Sequence, residues 1–197
     1  MKYIKKISAF FVMFLLVISC IGCKEEHTHK FVDGLCECGE KQQGEVVDVN
    51  YLNGHLNITG YKTLNYEKNI RSNEVLLLEE KTVNSFDGSK YQVSSIVKKL
   101  NLNGEYETSS NEEEKSEASK LLLVLKEEYF ENVLIKLDSF EADILDEYTN
   151  TFLGVDAKEA KIQVTFGKYF IVTSIVINYI DSESNFNVSI KTTYSYE

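Results

Sequence analysis

The chain contains no proline and no tryptophan. Histidine is nearly as scarce, with His27, His29 and His55 all in the first third, and the cysteines Cys20, Cys23, Cys36 and Cys38 all precede residue 40. From residue 56 to the end there is neither. That removes Ser-His-Asp, Cys-His and His-ligated metal chemistry from most of the part that can fold. Basic residues are outnumbered, 21 Lys and Arg against 31 Asp and Glu, for a formal net charge of −10. Three of the lysines, Lys2, Lys5 and Lys6, belong to the leading segment, so the remainder is more acidic still. Such a surface repels nucleic acid and anionic lipid headgroups, which argues against both as partners. It tolerates cationic partners and keeps a protein in solution.

A bilayer-spanning run is also missing. The apolar stretch from Ile7 to Ile18 is about a dozen residues, where a spanning helix needs roughly 20. A basic start, a short apolar core and a small residue before a cut site describe a secretory signal. Here Val17-Ile18-Ser19 stands before Cys20, and Gly22 before Cys23 with Lys24-Glu25-Glu26 after it. This segment resembles the lipobox signal of bacterial membrane lipoproteins. The resemblance implies that Cys20, or alternatively Cys23, receives a diacylglyceryl group after cleavage. Two acyl chains anchor stably where one is marginal. The expected location is therefore the extracytoplasmic face of the cell membrane, held by lipid. The expected layout is a signal over residues 1–19, a lipidated tether over 20–44 and one domain over 45–197.

The tether is polar, and it holds His27, His29, Cys36 and Cys38 within a few residues. Zinc takes four N or S ligands in a tetrahedron, and these four side chains are the candidate set. Gly34 permits a turn that folds the histidine arm onto the cysteine arm. The one-residue spacer of Cys36-Glu37-Cys38 makes a tighter bite than Cys-x-x-Cys. His29, Phe31, Gly34, Cys36, Cys38 and Gly39 together resemble a short Cys/His module of bacterial surface proteins, whose usual spacing is Cys-x-x-Cys. A disulfide among these cysteines and an inert spacer stand as the other readings.

A hydrophobic fraction of 43% is enough to bury a core over the rest of the chain. Ala160, Ile162, Val164 and Phe166 alternate with polar residues, as do Val188, Ile190, Thr192 and Tyr194, which is the period of half-buried strands. Residues 169–180 between them are apolar on both sides, as a central strand is. Residues 75–84 and 90–102 flank Asp87-Gly88 as a hairpin, with a change of phase near Ser94-Ser95 that suggests a bulge or bend. Residues 46–50 and 56–66 read as further strands. Ser110-Asn111-Glu112-Glu113 reads as a capping box opening a long helix with Ala118, Leu121, Leu122, Leu125 and Tyr129 on one face. Residues 133–144 read as extended chain, and 146–153 as a short helix ended by Gly154. The expected fold is α+β, a curved antiparallel sheet meander packed against one long and one short helix. In strand order and tyrosine-rich ending it is similar to the half-barrel of bacterial lipoprotein carriers.

The expected function is that of a non-enzymatic surface lipoprotein whose curved sheet holds an apolar or peptide ligand. The alternative is zinc capture by the tether. Carboxylates such as Asp138, Glu141, Asp143 and Asp146 are the remaining catalytic groups. A glycosidase needs two of them about 5–9.5 Å apart across a cleft. Acidic residues are so frequent here that nearness in sequence carries no weight.

Overall fold

Nine strands pair into one open, curved antiparallel sheet, and the chain enters that sheet one strand from its middle. The computed structural model describes residues 31–32, 35–36, 48–115 and 124–196. Phe31–Glu197 forms one compact unit, and residues 1–30 lie outside the described residues. At its start, β1 (Phe31–Val32) and β2 (Leu35–Cys36) form a minimal hairpin pairing Phe31 with Cys36 and Val32 with Leu35.

Helix α1 (Val49–His55) comes next. The Asp48 side chain accepts a 2.7 Å hydrogen bond from the Tyr51 backbone N–H, an N-cap that satisfies one of the donors a helix start leaves open. Val49 and Leu52, three apart on one face, are buried, and His55 stacks on Tyr51 at 4.0 Å. The strand expected over residues 46–50 is therefore corrected: its valines suit a strand, but the Asp48 cap and the Val49/Leu52 spacing start a helix. After α1, Asn57 bridges to the start of the penultimate strand. Its N–H donates to the Phe170 carbonyl at 3.0 Å, and its carbonyl accepts from the Val172 N–H at 2.8 Å.

Strand β3 (Thr63–Ser72) lies beside the sheet's central strand, fourth from one edge. From it β4 (Val75–Phe86), β5 (Tyr91–Leu100) and β6 (Tyr106–Lys115) step outward to one edge. The chain reappears at Val124 and builds inward from the opposite edge. Here β7 (Phe130–Ile135), β8 (Ser139–Ile144), β9 (Ala157–Phe166), β10 (Val172–Asp181) and β11 (Asn187–Ser195) follow one another. Two meanders thus meet where β11 pairs with β3, from Asn187 opposite Arg71 to Ser195 opposite Thr63. Between β8 and β9 a 3-10 turn, Asp146–Tyr148, runs into α2 (Thr149–Leu153). Gly154 closes α2 at φ 74°, the left-handed conformation that glycine adopts without penalty.

The C-terminal meander and the β4–β5 hairpin stand as the periodicity implied. Ala160, Ile162, Val164 and Phe166 are all buried, and so are Val188, Thr192 and Tyr194. Residues 133–144 prove to be parts of two strands rather than one extended segment. The long helix is corrected, because both α-helices among the described residues are short and Ser110-Asn111-Glu112-Glu113 lies inside β6. The turn before β6 decides this. The Asn101 side chain accepts from the N–H groups of Asn103 and Glu105, and Gly104 sits at φ 81°. The reversed chain then pairs with β5 at ten consecutive positions. Ala118, Leu121 and Leu122 lie outside the described residues, whereas Leu125 is buried and Tyr129 ends a 3-10 turn. The bulge expected at Ser94-Ser95 is also corrected, since β5 keeps unbroken register with both neighbours.

The core lies on one face of the sheet, where β8 to β11 meet the helical segments. Phe140, Leu52, Leu125, Ile162, Val164 and Val172 are its largest fully buried apolar members. Phe130, Phe140 and Phe152 meet edge-on, with ring centroids 5.4 and 5.5 Å apart. Among the described residues, no helix is long and apolar enough to cross a membrane.

Candidate functional site

The helix-bearing face is not filled evenly. Toward β3 to β6 the core gives way to a cavity of about 530 Å³, within the range of small-ligand sites. Its floor can be read from the register. One row of the sheet carries Tyr194, Leu64, Asn84, Val93 and Glu113 side by side on β11, β3, β4, β5 and β6. The next carries Ile175, Thr192, Tyr66, Thr82 and Ser95. The third contributes Ile177, Ile190 and Glu80. Residues two apart on a strand share a face, so these rows form one continuous surface. Phe152 and Leu153 at the end of α2, with Tyr179 and Lys115, complete the lining.

This floor explains the broken pattern in β5. Val93 and Ser95 both face the cavity, and Ile96 on the opposite face is 47% exposed. The alternation is intact, but an inward position is polar because it meets a cavity instead of packed core.

The polar groups are placed unevenly. Asn84 is 3% exposed and Tyr194 6% exposed. Neither the Asn84 Oδ1 nor the Tyr194 hydroxyl finds a hydrogen-bond partner among the described residues. A buried polar group left unpaired costs ~1–3 kcal/mol, so native chains rarely keep one without a reason. The Tyr194 ring meets Tyr61 edge-on at 5.4 Å, and Tyr61, Tyr91 and Phe86 continue an aromatic series with centroids 6.1 and 5.0 Å apart. Burial raises the Tyr194 phenol above its ordinary range, with Tyr61 and Tyr196 adding to it. Burial, then the Glu80 carboxylate and Tyr179, push Tyr66 up to about 12. Both phenols therefore stay neutral at physiological pH. At the β6 side Lys115 pairs with Glu113 at 2.7 Å.

The carboxylates singled out in the sequence are not gathered in this cavity. Glu141 and Asp143 alternate with buried Phe140, Ala142 and Ile144, so they share the outer face of β8. Lys136 donates to Glu141 at 2.8 Å, and Asn132 donates to Asp143 at 2.8 Å. Those bonds hold both carboxyls below their ordinary range. Asp146 begins the 3-10 turn before α2, and Asp138 accepts from the Ser139 hydroxyl at 3.4 Å. His55 Nδ1 sits 2.7 Å from the Tyr51 carbonyl in the packing of α1.

Of the tether and anchor residues, Cys36 lies in β2, opposite Phe31. Cys20, Cys23, His27, His29 and Cys38 lie outside the described residues. Among the described residues, no group of three or more His, Cys, Asp or Glu side chains gathers to hold a metal. Asn84, Tyr194 and Tyr66 were not legible as site residues. The available signal was a polar residue at an inward strand position, and Ser95 shows how that reads as irregularity. A scan against protein-family models finds no match, and no curated protein matches the chain.

Proposed function

We propose that this chain is a lipid-anchored, extracytoplasmic surface lipoprotein that binds an apolar ligand and catalyses no reaction. The observation that carries the binding part is the cavity of about 530 Å³ on the helix-bearing face, floored by three strand rows and walled by Phe152 and Leu153. An apolar molecule in that space removes Leu64, Ile175, Ile177 and Ile190 from water, at about 25 cal/mol per Å² of apolar surface covered. The anchor part is supported by Val17-Ile18-Ser19-Cys20 and the alternative Cys23. The absence of histidine and cysteine after residue 55 removes His- and Cys-based catalysis from that part and supports a binding role.

One experiment addresses both parts. The chain expressed in a bacterial host is expected in the membrane fraction, and its Cys20→Ser, Cys23→Ser variant in the soluble fraction. Native mass spectrometry of that soluble variant is expected to show a copurifying apolar molecule. Retention of the variant on membranes contradicts the anchor, and a clean ligand-free mass contradicts the binding role.

The register of β1 and β2 favours a second reading, zinc capture by the tether. That hairpin reverses the chain between Val32 and Leu35, within the segment that carries the candidate ligands. His27, His29, Cys36 and Cys38 would hold the ion. Zinc bound by the reduced full chain is expected to vanish in a Cys36→Ser, Cys38→Ser variant. Equal zinc content in the two removes this reading.

A further inference from the structure

The lining of the cavity changes character across the strands. On β10, β11 and α2 it presents Ile175, Ile177, Ile190, Phe152 and Leu153. Its charged side chains, Glu80, Glu113 and Lys115, all stand on β4 and β6, with the Thr82 and Ser95 hydroxyls beside them on β4 and β5. The unpaired Asn84 and Tyr194 oxygens are fully buried, out of an occupant's reach. The groups that an occupant can meet are therefore hydrocarbon on one side and Glu80, Thr82 and Ser95 on the other.

Charge decides the class of ligand. Lys115 pairs with Glu113 at 2.7 Å, which leaves the Glu80 carboxylate in excess. Glu80 is half-buried, and among the described residues no ion pair or hydrogen bond engages its side chain. Lys68 stands opposite Glu80 in the register, and Lys99 lies near it on the same face. Neither lines the cavity, and the Lys68 ammonium acts on the Asp181 carboxylate. Taking a carboxylate out of water without a partner is costly, so an occupant that covers Glu80 has to bring a positive charge. A primary ammonium has three donors and no acceptor. The Glu80 carboxylate and the Thr82 and Ser95 hydroxyls are acceptors that suit it.

We infer that the cavity takes a cationic amphiphile, in its simplest form an alkyl primary ammonium. Its head sits over β4 and β5 at Glu80, Thr82 and Ser95, and its chain crosses the strands to Ile175, Ile177 and Ile190. An anionic amphiphile meets like charge at Glu80. The excess of 31 acidic over 21 basic residues in the chain favours approach of the same cation. This inference rests on the apolar-ligand reading above and adds the charge of the head to it.

The test uses the full chain with Cys20→Ser and Cys23→Ser, so that no lipid of its own competes. An uncharged apolar fluorophore, N-phenyl-1-naphthylamine, reports occupancy. Decylammonium, decanol and decanoate, which differ only in the head, compete for it below their micellar concentrations. Decylammonium is expected to displace the fluorophore about tenfold more strongly than decanol, the effect of one charge-assisted hydrogen bond, and decanoate is expected to be the weakest. Glu80→Gln is expected to weaken decylammonium about tenfold while decanol and the fluorophore bind as before. Glu79→Gln removes the same charge from the opposite face, where Glu79 pairs with Lys81 at 2.7 Å, and is expected to leave all three competitors unchanged. The comparison of competitors on the parent needs no substitution in the cavity, so a misfolded Glu80 variant leaves the test intact. If the fluorophore does not bind, the apolar-ligand reading fails and this inference with it. If it binds but decylammonium is no stronger than decanol, or Glu80→Gln and Glu79→Gln act alike, Glu80 holds no head. The charge assignment is then overturned while the cavity reading stands.

Discussion

Asp87 shows how one side chain fixes a turn and ties it to pH. Its Oδ1 accepts from the Ser89 N–H at 2.8 Å, the Ser89 hydroxyl at 3.0 Å and the Lys90 N–H at 2.8 Å. These bonds, the Lys90 N–H first, pull its carboxyl down to about 2. A carboxyl whose pKa falls on folding contributes stability above its unfolded value, near 4, and loses it as the pH drops through the folded value. That contribution should fade between about pH 4 and pH 2. Asp87→Asn keeps the acceptor but does not titrate. Denaturant midpoints measured across that window should fall less steeply in the variant than in the parent, and parallel slopes would refute the assignment. Asp87-Gly88 was legible as a turn because its chemistry is local. Asn84 was not legible as a cavity residue, because nothing in its neighbours says that the space above it is unfilled.

Among the elements, those whose state is decided locally were the readable ones. The strands β9 and β11 carry period-two burial within their own residues, and α2 carries its own stop in Gly154. Strand β6 carries neither. It is exposed along its whole length and rich in Glu and Ser, which a helix start also favours. Pairing with β5 decides its state, and that partner lies outside any local window. Its edge position suits its charge, since Glu112, Glu113 and Glu114 discourage a further strand from pairing there. Helix α1 depends on its cap because it is only seven residues long. Asp48→Ala should cost about 1 kcal/mol of unfolding free energy in a denaturant titration. An unchanged midpoint would mean that packing of Val49 and Leu52 holds the helix without the cap.

For the whole molecule, the order of strands gives the two faces different work. Seven of the eight contacts between neighbouring strands join consecutive strands of the chain, and the β3–β11 seam joins the two meanders. Each meander brings a different inner face: β8 to β11 supply the packed core, and β3 to β6 the tyrosine, threonine and serine positions. The antiparallel meander was legible because hairpins are local. The cavity arises only where the meanders sit side by side, so no stretch of sequence contained it. The most direct test of ligand binding on the helix-bearing face is residue-level mapping of an uncharged alkyl diazirine photolysed with the full chain. Labels are expected on Tyr66, Thr82, Ile177 and Ile190, and not on their strand neighbours Asn65, Val83, Val176 and Lys191. Labels on both sets alike, or on the second set alone, would contradict a binding face there.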